Sequence, residues 1–192
     1  MESTLSASDW EAMYAPYDPG TYQSVLAQLR PDDVILDIGA GDLRLARQMA
    51  QIARKVYAVE IDRQTLEQAM RLSEPLPANL ISICADARIL DFPPDISTGV
   101  VLMRHCTCFR LYAEKLRIAG ATGLITNARW GMDTEFINLL VERISFYEFY
   151  MGWYACICGG RGFKEGPAQH WSSEMDSVTV EVSGCPQCME IS

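Results

Sequence analysis

The chain has 192 residues, of which 49% are hydrophobic and 21% charged, a composition typical of a globular domain and too apolar for intrinsic disorder. Its 25 acidic and 16 basic residues give a net charge of −9, which favours small molecules or proteins over nucleic acid as partners. The first residues lack a basic leader followed by an apolar run, and no stretch reaches the roughly 18 apolar residues of a membrane span. We therefore expect a cytoplasmic protein.

Strand and helix patterns alternate along most of the chain. After a helical, aromatic segment, the predicted elements are strand 34–38, helix 43–53, strand 55–60, helix 63–73, strand 80–84, strand 99–103, helix 109–119, strand 123–127 and helix 134–150. Because parallel neighbouring strands need crossover helices, this order predicts an α/β fold with a doubly wound, Rossmann-like, mostly parallel sheet.

The last forty or so residues break this alternation. Residues 153–164 and 177–185 are predicted to pair as an antiparallel hairpin at the C-terminal edge of the same sheet. The expected organisation is thus an N-terminal helical cap over residues 1–30, a ligand-binding Rossmann-like domain over residues 31–150, and a hairpin over residues 151–192 that is integral to that domain.

A glycine turn and two acidic residues suggest a nucleoside-binding pocket. The stretch VILDIGAGD places Asp37, Gly39 and Gly41 between the first strand and its helix, where glycine lets the backbone approach a ligand. Glu60 ends the second strand, where a carboxylate can accept hydrogen bonds from a ribose diol, and Asp86 follows the third strand, where it can hold an adenine amino group. The alternatives are a tight turn without a ligand and two solvated loop carboxylates.

The type of cofactor follows from the loop and from a family resemblance. A dinucleotide fingerprint requires glycine at position 44, where this chain has Arg44, so nicotinamide cofactors are disfavoured. Together, DIGAGD, VYAVEID and ICADA resemble the class I S-adenosylmethionine-dependent methyltransferase family over roughly residues 20–150. Leu43 stands where that family has a third loop glycine.

The resemblance implies a set of cofactor contacts. They are Asp37, Gly39, Gly41, Glu60, Ile61, Asp86, Ala87 and Arg104. In the family, the first-strand acid and the glycine loop hold the methionine part of S-adenosylmethionine. The acid that ends the second strand holds the ribose, and the acid after the third strand lies beside the adenine.

The reaction itself requires little from side chains. Methyl transfer from a sulfonium is an in-line displacement, helped chiefly by placing the nucleophile and excluding water. After the fourth strand the chain has MRHCTCF in place of the Asn- or Asp-Pro-Pro-aromatic motif of many family members, which disfavours methylation of the adenine amino group. His105 is the candidate general base, with a structural histidine as the alternative. Cys106 and Cys108 are interpreted as packing residues rather than nucleophiles.

Two further segments are candidate walls of the site. The N-terminal tyrosines, Tyr14, Tyr17 and Tyr22, form either a lid over the cofactor or a packing layer on the sheet edge. Asn127, Arg129 and Trp130, after the fifth strand, are candidates for the acceptor pocket.

Two close cysteine pairs near the C-terminus predict a zinc site. Zinc favours four tetrahedral thiolate or imidazole ligands, and Cys156, Cys158, Cys185 and Cys188 can supply them. Four protein ligands leave no open position, so the zinc would be structural. His170 in place of Cys156 is one alternative, and free thiols or a disulfide without metal is the other.

The sequence therefore predicts an S-adenosylmethionine-dependent methyltransferase with structural zinc, acting on a small-molecule or protein acceptor. One alternative is a catalytically inactive, methyltransferase-like zinc scaffold that binds a partner. The other is an oxidoreductase on a similar sheet, against which Arg44 argues.

Overall fold

The computed structural model describes residues 17–72, 75–104, 106–129 and 133–190. The chain divides into two units, Met1–Leu139 and Leu140–Ser192, so the boundary precedes residue 151, where the predicted C-terminal segment begins. None of the described helices is long and apolar enough to cross a membrane.

The first unit is built on a six-stranded sheet. Its elements are α1 (Pro19–Leu26), β1 (Val34–Ile38), α2 (Arg44–Met49), β2 (Lys55–Glu60), α3 (Arg63–Leu72), β3 (Leu80–Cys84), β4 (Thr98–Val101), α4 (Phe109–Ile118), β5 (Gly123–Thr126) and β6 (Glu135–Asn138). The strand order is β3-β2-β1-β4-β5-β6, with β1 to β5 parallel and β6 antiparallel to β5. The predicted Rossmann-like, mostly parallel α/β fold is confirmed.

The central strands are buried on both faces, as continuous apolar runs in a parallel sheet should be. Every residue of β1, β4 and β5 is buried. Strand order reverses between β1 and β4, and ligands of open α/β sheets bind at such a switch point, beyond the carboxyl ends of the strands.

The predicted helix over residues 134–150 is wrong. In its place the chain forms β6, a turn, and the short β7 (Ile144–Ser145) that begins the sheet of the second unit. Ile137 and Leu139 are buried while Phe136 is 52% exposed, which is the two-residue period of a strand. Apolar runs of this length are ambiguous between helix and strand, and here pairing with β5 decides.

The second unit has its own four-stranded sheet, of order β7-β10-β8-β9. Its other elements are β8 (Gly152–Cys156), β9 (Arg161–Lys164), two short 3-10 helices (Ala168–His170 and Ser173–Ser177), β10 (Thr179–Ser183) and α5 (Pro186–Glu190). The predicted pairing of residues 153–164 with 177–185 as an antiparallel edge hairpin is wrong. Residues 152–164 turn back on themselves as the antiparallel pair β8–β9, and β10 lies parallel to β8.

Close packing of α4 on the central sheet depends on Gly99 in β4. A Cβ at this position would lie 2.3 Å from the Cδ1 atom of fully buried Leu116. We expect Gly99→Ala to lower the free energy of unfolding by about 1–3 kcal/mol, measured by chemical denaturation, because overpacking must displace the helix. Leu116→Ala alone should cost about 2–5 kcal/mol through its cavity. The double variant should lose less than the sum of the two, and strict additivity would show that this contact is not the cause.

Candidate functional site

A cleft of about 890 Å³ lies at the carboxyl ends of β1 to β4. All but one of the predicted cofactor contacts line it: Asp37, Gly39, Gly41, Glu60, Ile61, Asp86 and Ala87. The exception is Arg104, whose guanidinium carbon instead lies 5.2 Å from the centre of the Tyr17 ring. The fold thus brings together residues that are up to fifty positions apart in the chain.

The loop between β1 and α2 has an unusual backbone. Gly39 and Gly41 have φ angles of 79° and 54°, in the region that glycine occupies without penalty. A Cβ at Gly41 would meet no atom within 4 Å, so the space beside this backbone is open. Leu43 adopts a φ of 64° although its side chain is fully buried. Leu43, at the position of the third loop glycine in the family that the sequence resembles, therefore adopts a left-handed conformation at a backbone cost of about 1–2 kcal/mol.

Glu60 joins this loop to the end of β2. Its Oε2 atom accepts a hydrogen bond from the Gly41 N–H at 2.8 Å, and its Oε1 atom accepts one from the Asp62 N–H at 2.8 Å. A carboxylate has about four acceptor positions, so two remain for a ligand hydroxyl pair.

Asp37 is a buried carboxyl at the end of β1. It is 3% exposed, and its Oδ2 atom has no hydrogen-bond partner among the residues that the structure describes. Burial, and to a lesser extent the nearby charge of Glu60, raises the pKa of Asp37 from 3.8 to about 7. A cationic group placed beside Oδ2 would satisfy this oxygen and favour the ionised form.

Asp86 is already paired. Arg88 binds its carboxylate through both Nε and Nη2, at 2.9 Å and 2.7 Å, and this pairing lowers the pKa of Asp86. The Lys115 ammonium on α4 donates to the carbonyl oxygens of Ala87 at 2.8 Å and Leu90 at 2.6 Å, which holds the loop after β3. Sequence reasoning missed both cations. The Asp-x-Arg spacing could have indicated Arg88, whereas nothing local to Lys115 indicates its partners.

Some of the predicted site residues after β4 line the cleft, and others lie outside the described residues. The candidate base His105 lies outside the described residues, as do Tyr14 and Trp130. Cys106 and Cys108 line the cleft, as does Tyr112, whose pKa burial raises to about 12.

Asn127 and Arg129, the two described residues of the predicted acceptor pocket, are not part of the described lining of the cleft. Asn127 is 1% exposed, and neither polar atom of its amide has a hydrogen-bond partner within the described part of the chain. Arg129 forms a buried ion pair with Glu135, with Nη2 and Oε2 2.6 Å apart. Val101 on β4 pairs with Thr126 on β5, so Asn127 follows β5 next to Leu102, which lines the cleft.

Comparison with known proteins shows what the first unit resembles. Residues 35–120 match a family model described as a methyltransferase domain. This match covers 86 of the 192 residues and shows that this part of the chain resembles a methyltransferase domain. The resemblance to class I S-adenosylmethionine-dependent methyltransferases is therefore confirmed.

The matches with individual relatives cover only part of each relative's length. The chain is 41% identical over 69 residues, 36% of this chain and 25% of the relative, to a probable ribosomal RNA small subunit methyltransferase A from Methanosarcina acetivorans. The Methanosarcina mazei protein of the same description is 39% identical over 67 residues, 35% of this chain and 24% of that protein. The chain thus spans about a quarter of these curated relatives. The YcgJ protein of Bacillus subtilis matches in structure with a TM-score of 0.50 at 18% identity, covering 57% of this chain and 50% of that one, which supports the fold alone.

Outside the residues that match the methyltransferase model, the second unit brings four cysteines together. The Sγ atoms of Cys156, Cys158, Cys185 and Cys188 all lie within 4.8 Å of one another. Parallel pairing of β8 with β10 sets Cys156 opposite Val182, so the loops after both strands meet at one edge. The predicted proximity is present, but parallel pairing produces it rather than the antiparallel pairing we expected.

The surroundings of the cysteine cluster are closely fitted. A Cβ at Gly160 would lie 2.7 Å from the Cys185 Sγ atom, and the Gly160 N–H donates to the Cys158 sulfur at 3.3 Å. Burial raises the pKa of the Cys158 and Cys188 thiols, so a cation is needed to favour their thiolates. The predicted alternative ligand His170 is not part of the cluster, and its Nδ1 atom lies 2.5 Å from the Tyr150 hydroxyl.

The raised pKa of Asp37 generates a prediction about pH. The folded protein holds the proton of this carboxyl more tightly than the unfolded chain does, so its contribution to stability is present at low pH and is lost as the pH rises through about 7. The Asp37→Asn variant has no carboxyl to ionise at this position, so it does not show that loss of stability. Relative to wild type, we expect its free energy of unfolding to rise by about 1–4 kcal/mol between about pH 5 and pH 8.5, measured by denaturant titration of the ligand-free protein.

The matched control is Asp32→Asn, which changes an exposed aspartate just before β1. Its stability difference from wild type should stay constant across the same pH range. If both variants gave the same pH profile, the buried carboxyl would not be the titrating group.

Proposed function

We propose that this protein is an S-adenosylmethionine-dependent methyltransferase whose cofactor occupies the cleft at the carboxyl ends of β1 to β4. The observation that carries the proposal is the Oδ2 atom of Asp37, a buried acceptor without a partner among the described residues, in the wall of that cleft. A buried unsatisfied carboxylate is costly, and the α-ammonium group of the cofactor's methionine part is a complementary partner.

The other predicted contacts divide the remaining cofactor between them. We assign the methionine part to the glycine loop, where the space beside the Gly41 backbone is open, and the ribose hydroxyls to the free acceptor positions of Glu60. The 61% exposed Ile61 and the buried Ala87 offer apolar contacts for the two faces of the adenine ring.

Two assignments depend on neighbouring residues. Asp86 would accept from the adenine amino group while remaining paired with Arg88, because its oxygens have further acceptor positions. Arg104 would act through its contact with Tyr17, which lines the cleft, rather than by touching the cofactor.

S-adenosylmethionine, when bound, supplies a methyl group attached to a sulfonium. The residues of the chain then have to exclude water and hold the acceptor atom in line with that methyl group. Leu102, Met103 and Tyr22 give the cleft apolar walls suited to excluding water. We retain His105 as the proposed general base for an acceptor that must lose a proton.

Two observations favour different acceptors. The net charge of −9 favours a small molecule or a protein. The relatives described as ribosomal RNA methyltransferases favour RNA. Transfer of a labelled methyl group to separated RNA, protein and small-molecule fractions decides among them. A cytoplasmic location belongs to the same proposal.

We also propose that Cys156, Cys158, Cys185 and Cys188 hold one structural zinc ion. Four sulfurs at about 2.3 Å from zinc form a tetrahedron with edges of about 3.8 Å. The Sγ pairs 158–185, 156–188 and 185–188 lie 3.4, 3.7 and 3.9 Å apart. This agreement supports a metal centre over four free thiols, and four thiolate ligands leave no position for catalysis.

Calorimetric titration of S-adenosylmethionine into the full chain tests the cofactor site. We expect a dissociation constant on the order of micromolar, weakened about 10- to 100-fold in Glu60→Gln, because the amide cannot accept as many hydrogen bonds. Asp32→Asn is the control and should bind like wild type. Absence of binding to intact, zinc-loaded protein would instead favour the inactive scaffold.

Metal analysis tests the zinc site. We expect about one zinc per chain in wild type, and loss of zinc together with a lowered melting temperature in Gly160→Ala, because the added methyl group displaces the Cys185 sulfur. Cys84→Ser, which changes an exposed cysteine of β3, should keep full zinc content. A wild-type protein that holds no zinc even after anaerobic reconstitution would contradict the proposal.

A further inference from the structure

The second unit contains a pocket that the methyltransferase activity does not use. It has a volume of about 390 Å³ and is lined by Met151, Phe163, Glu165, Gly166, Ala168 and Trp171, which we call the Trp171 pocket. This volume lies in the range of small-ligand sites. Its lining combines two aromatic rings and a thioether with one charged group.

The aromatic walls are held in place by contacts of their own. The Phe163 ring packs edge-on against Trp153, with centroids 5.4 Å apart, and the Trp153 indole N–H donates to Asp176 at 3.3 Å. The backbone N–H of Trp171 donates to the carbonyl oxygen of Ala168, so a 3-10 turn fixes the backbone of this residue. Trp171 is 52% exposed, so its indole ring is accessible to a ligand from solvent.

Gly166 packs against Met151, another residue of the pocket lining. A Cβ at this glycine would lie 2.8 Å from the Cβ and 2.9 Å from the Sδ of Met151. The backbone therefore packs directly on the methionine, and a side chain at this position would displace Met151 from the pocket lining.

The single carboxylate of the pocket is not neutralised. The side chain of Glu165 has no hydrogen bond or ion pair in the described ranges. The adjacent Lys164 does not compensate it, because its ammonium group donates to the carbonyl oxygens of Phe146 and Phe149 and lies 4.8 Å from the centre of the Phe146 ring. Residues 140–192 carry seven acidic and three basic side chains, so the wider field is also negative.

We propose that the Trp171 pocket binds an alkylammonium group, either of a free amine or of a lysine side chain on a protein partner. Ring faces attract cations through their quadrupole, and the Glu165 carboxylate in the lining adds a charge of the right sign. Anions are disfavoured by Glu165, and a neutral ligand would leave its charge unused. The proposal is independent of the cofactor site and concerns a different unit of the chain.

Nuclear magnetic resonance titration of the full, zinc-loaded chain tests the pocket. The probes are choline and its uncharged analogue in which carbon replaces nitrogen, at matched ionic strength, and Trp171→Phe assigns the indole signal. We expect choline to shift the Trp171 indole resonance with a dissociation constant on the order of 1 mM, and the uncharged analogue to bind at least about fivefold more weakly. Failure of choline to shift this resonance overturns the proposal.

Charge-removing variants separate the pocket from general attraction to an acidic protein. Glu165→Gln should weaken choline about fivefold, whereas Glu174→Gln, which changes an exposed carboxylate outside the lining, should not. Equal weakening by both variants would contradict a specific site.

A peptide that carries one trimethylated lysine and no other charge distinguishes the two sources of the cation. Tighter binding than choline by at least about tenfold assigns the pocket to a protein partner, and equal or weaker binding assigns it to a free amine.

Discussion

The hydrogen bond from the Gly41 N–H to Glu60 is the constraint on which the cleft depends, since it joins the loop after β1 to the end of β2. With this loop held, Gly39, Gly41 and Leu43 keep their positive φ angles, and the space beside Gly41 stays open. The same carboxylate helps to raise the pKa of Asp37. One acidic side chain therefore holds the loop of the site and also adds to the rise that burial causes in the pKa of its neighbour.

The site is built at the expense of stability. Asp37 buries a carboxyl with an unpartnered oxygen, Asn127 buries an unpartnered amide, and Leu43 occupies a left-handed conformation. Each arrangement costs on the order of 1–3 kcal/mol in the ligand-free protein. All three lie at or next to the carboxyl ends of the central strands, and the first is relieved when a ligand in the cleft supplies Asp37 with a hydrogen-bond partner. Part of the ligand's binding energy therefore comes from relieving a cost that the ligand-free fold carries.

The local sequence predicted the elements whose conformation depends on the local pattern of residues. The strands over residues 34–38, 55–60 and 80–84 agree with the structure, because buried apolar runs between turn residues admit few other conformations. The helix over residues 134–150 failed because pairing with β5 overrode an ambiguous apolar run. The cysteine set was found without the correct strand pairing, since either direction can bring two loops together. The contact of Lys115 with the loop after β3 depends on packing between distant elements, which no local pattern encodes.

The place of the cysteines in the second unit argues for a role in folding rather than in chemistry. The buried cluster of this unit consists of Phe149, Tyr154, Cys156, Val182 and Cys185, so two of its buried side chains are themselves cysteines. A sheet of short strands with so small an apolar core gains little from burial alone, and units of this size commonly depend on a metal or a disulfide. Zinc at this position would join the loops after β8 and β10 at the centre of the core. Its removal would therefore unfold the unit that carries the Trp171 pocket, whereas the cleft is built entirely from residues before 139.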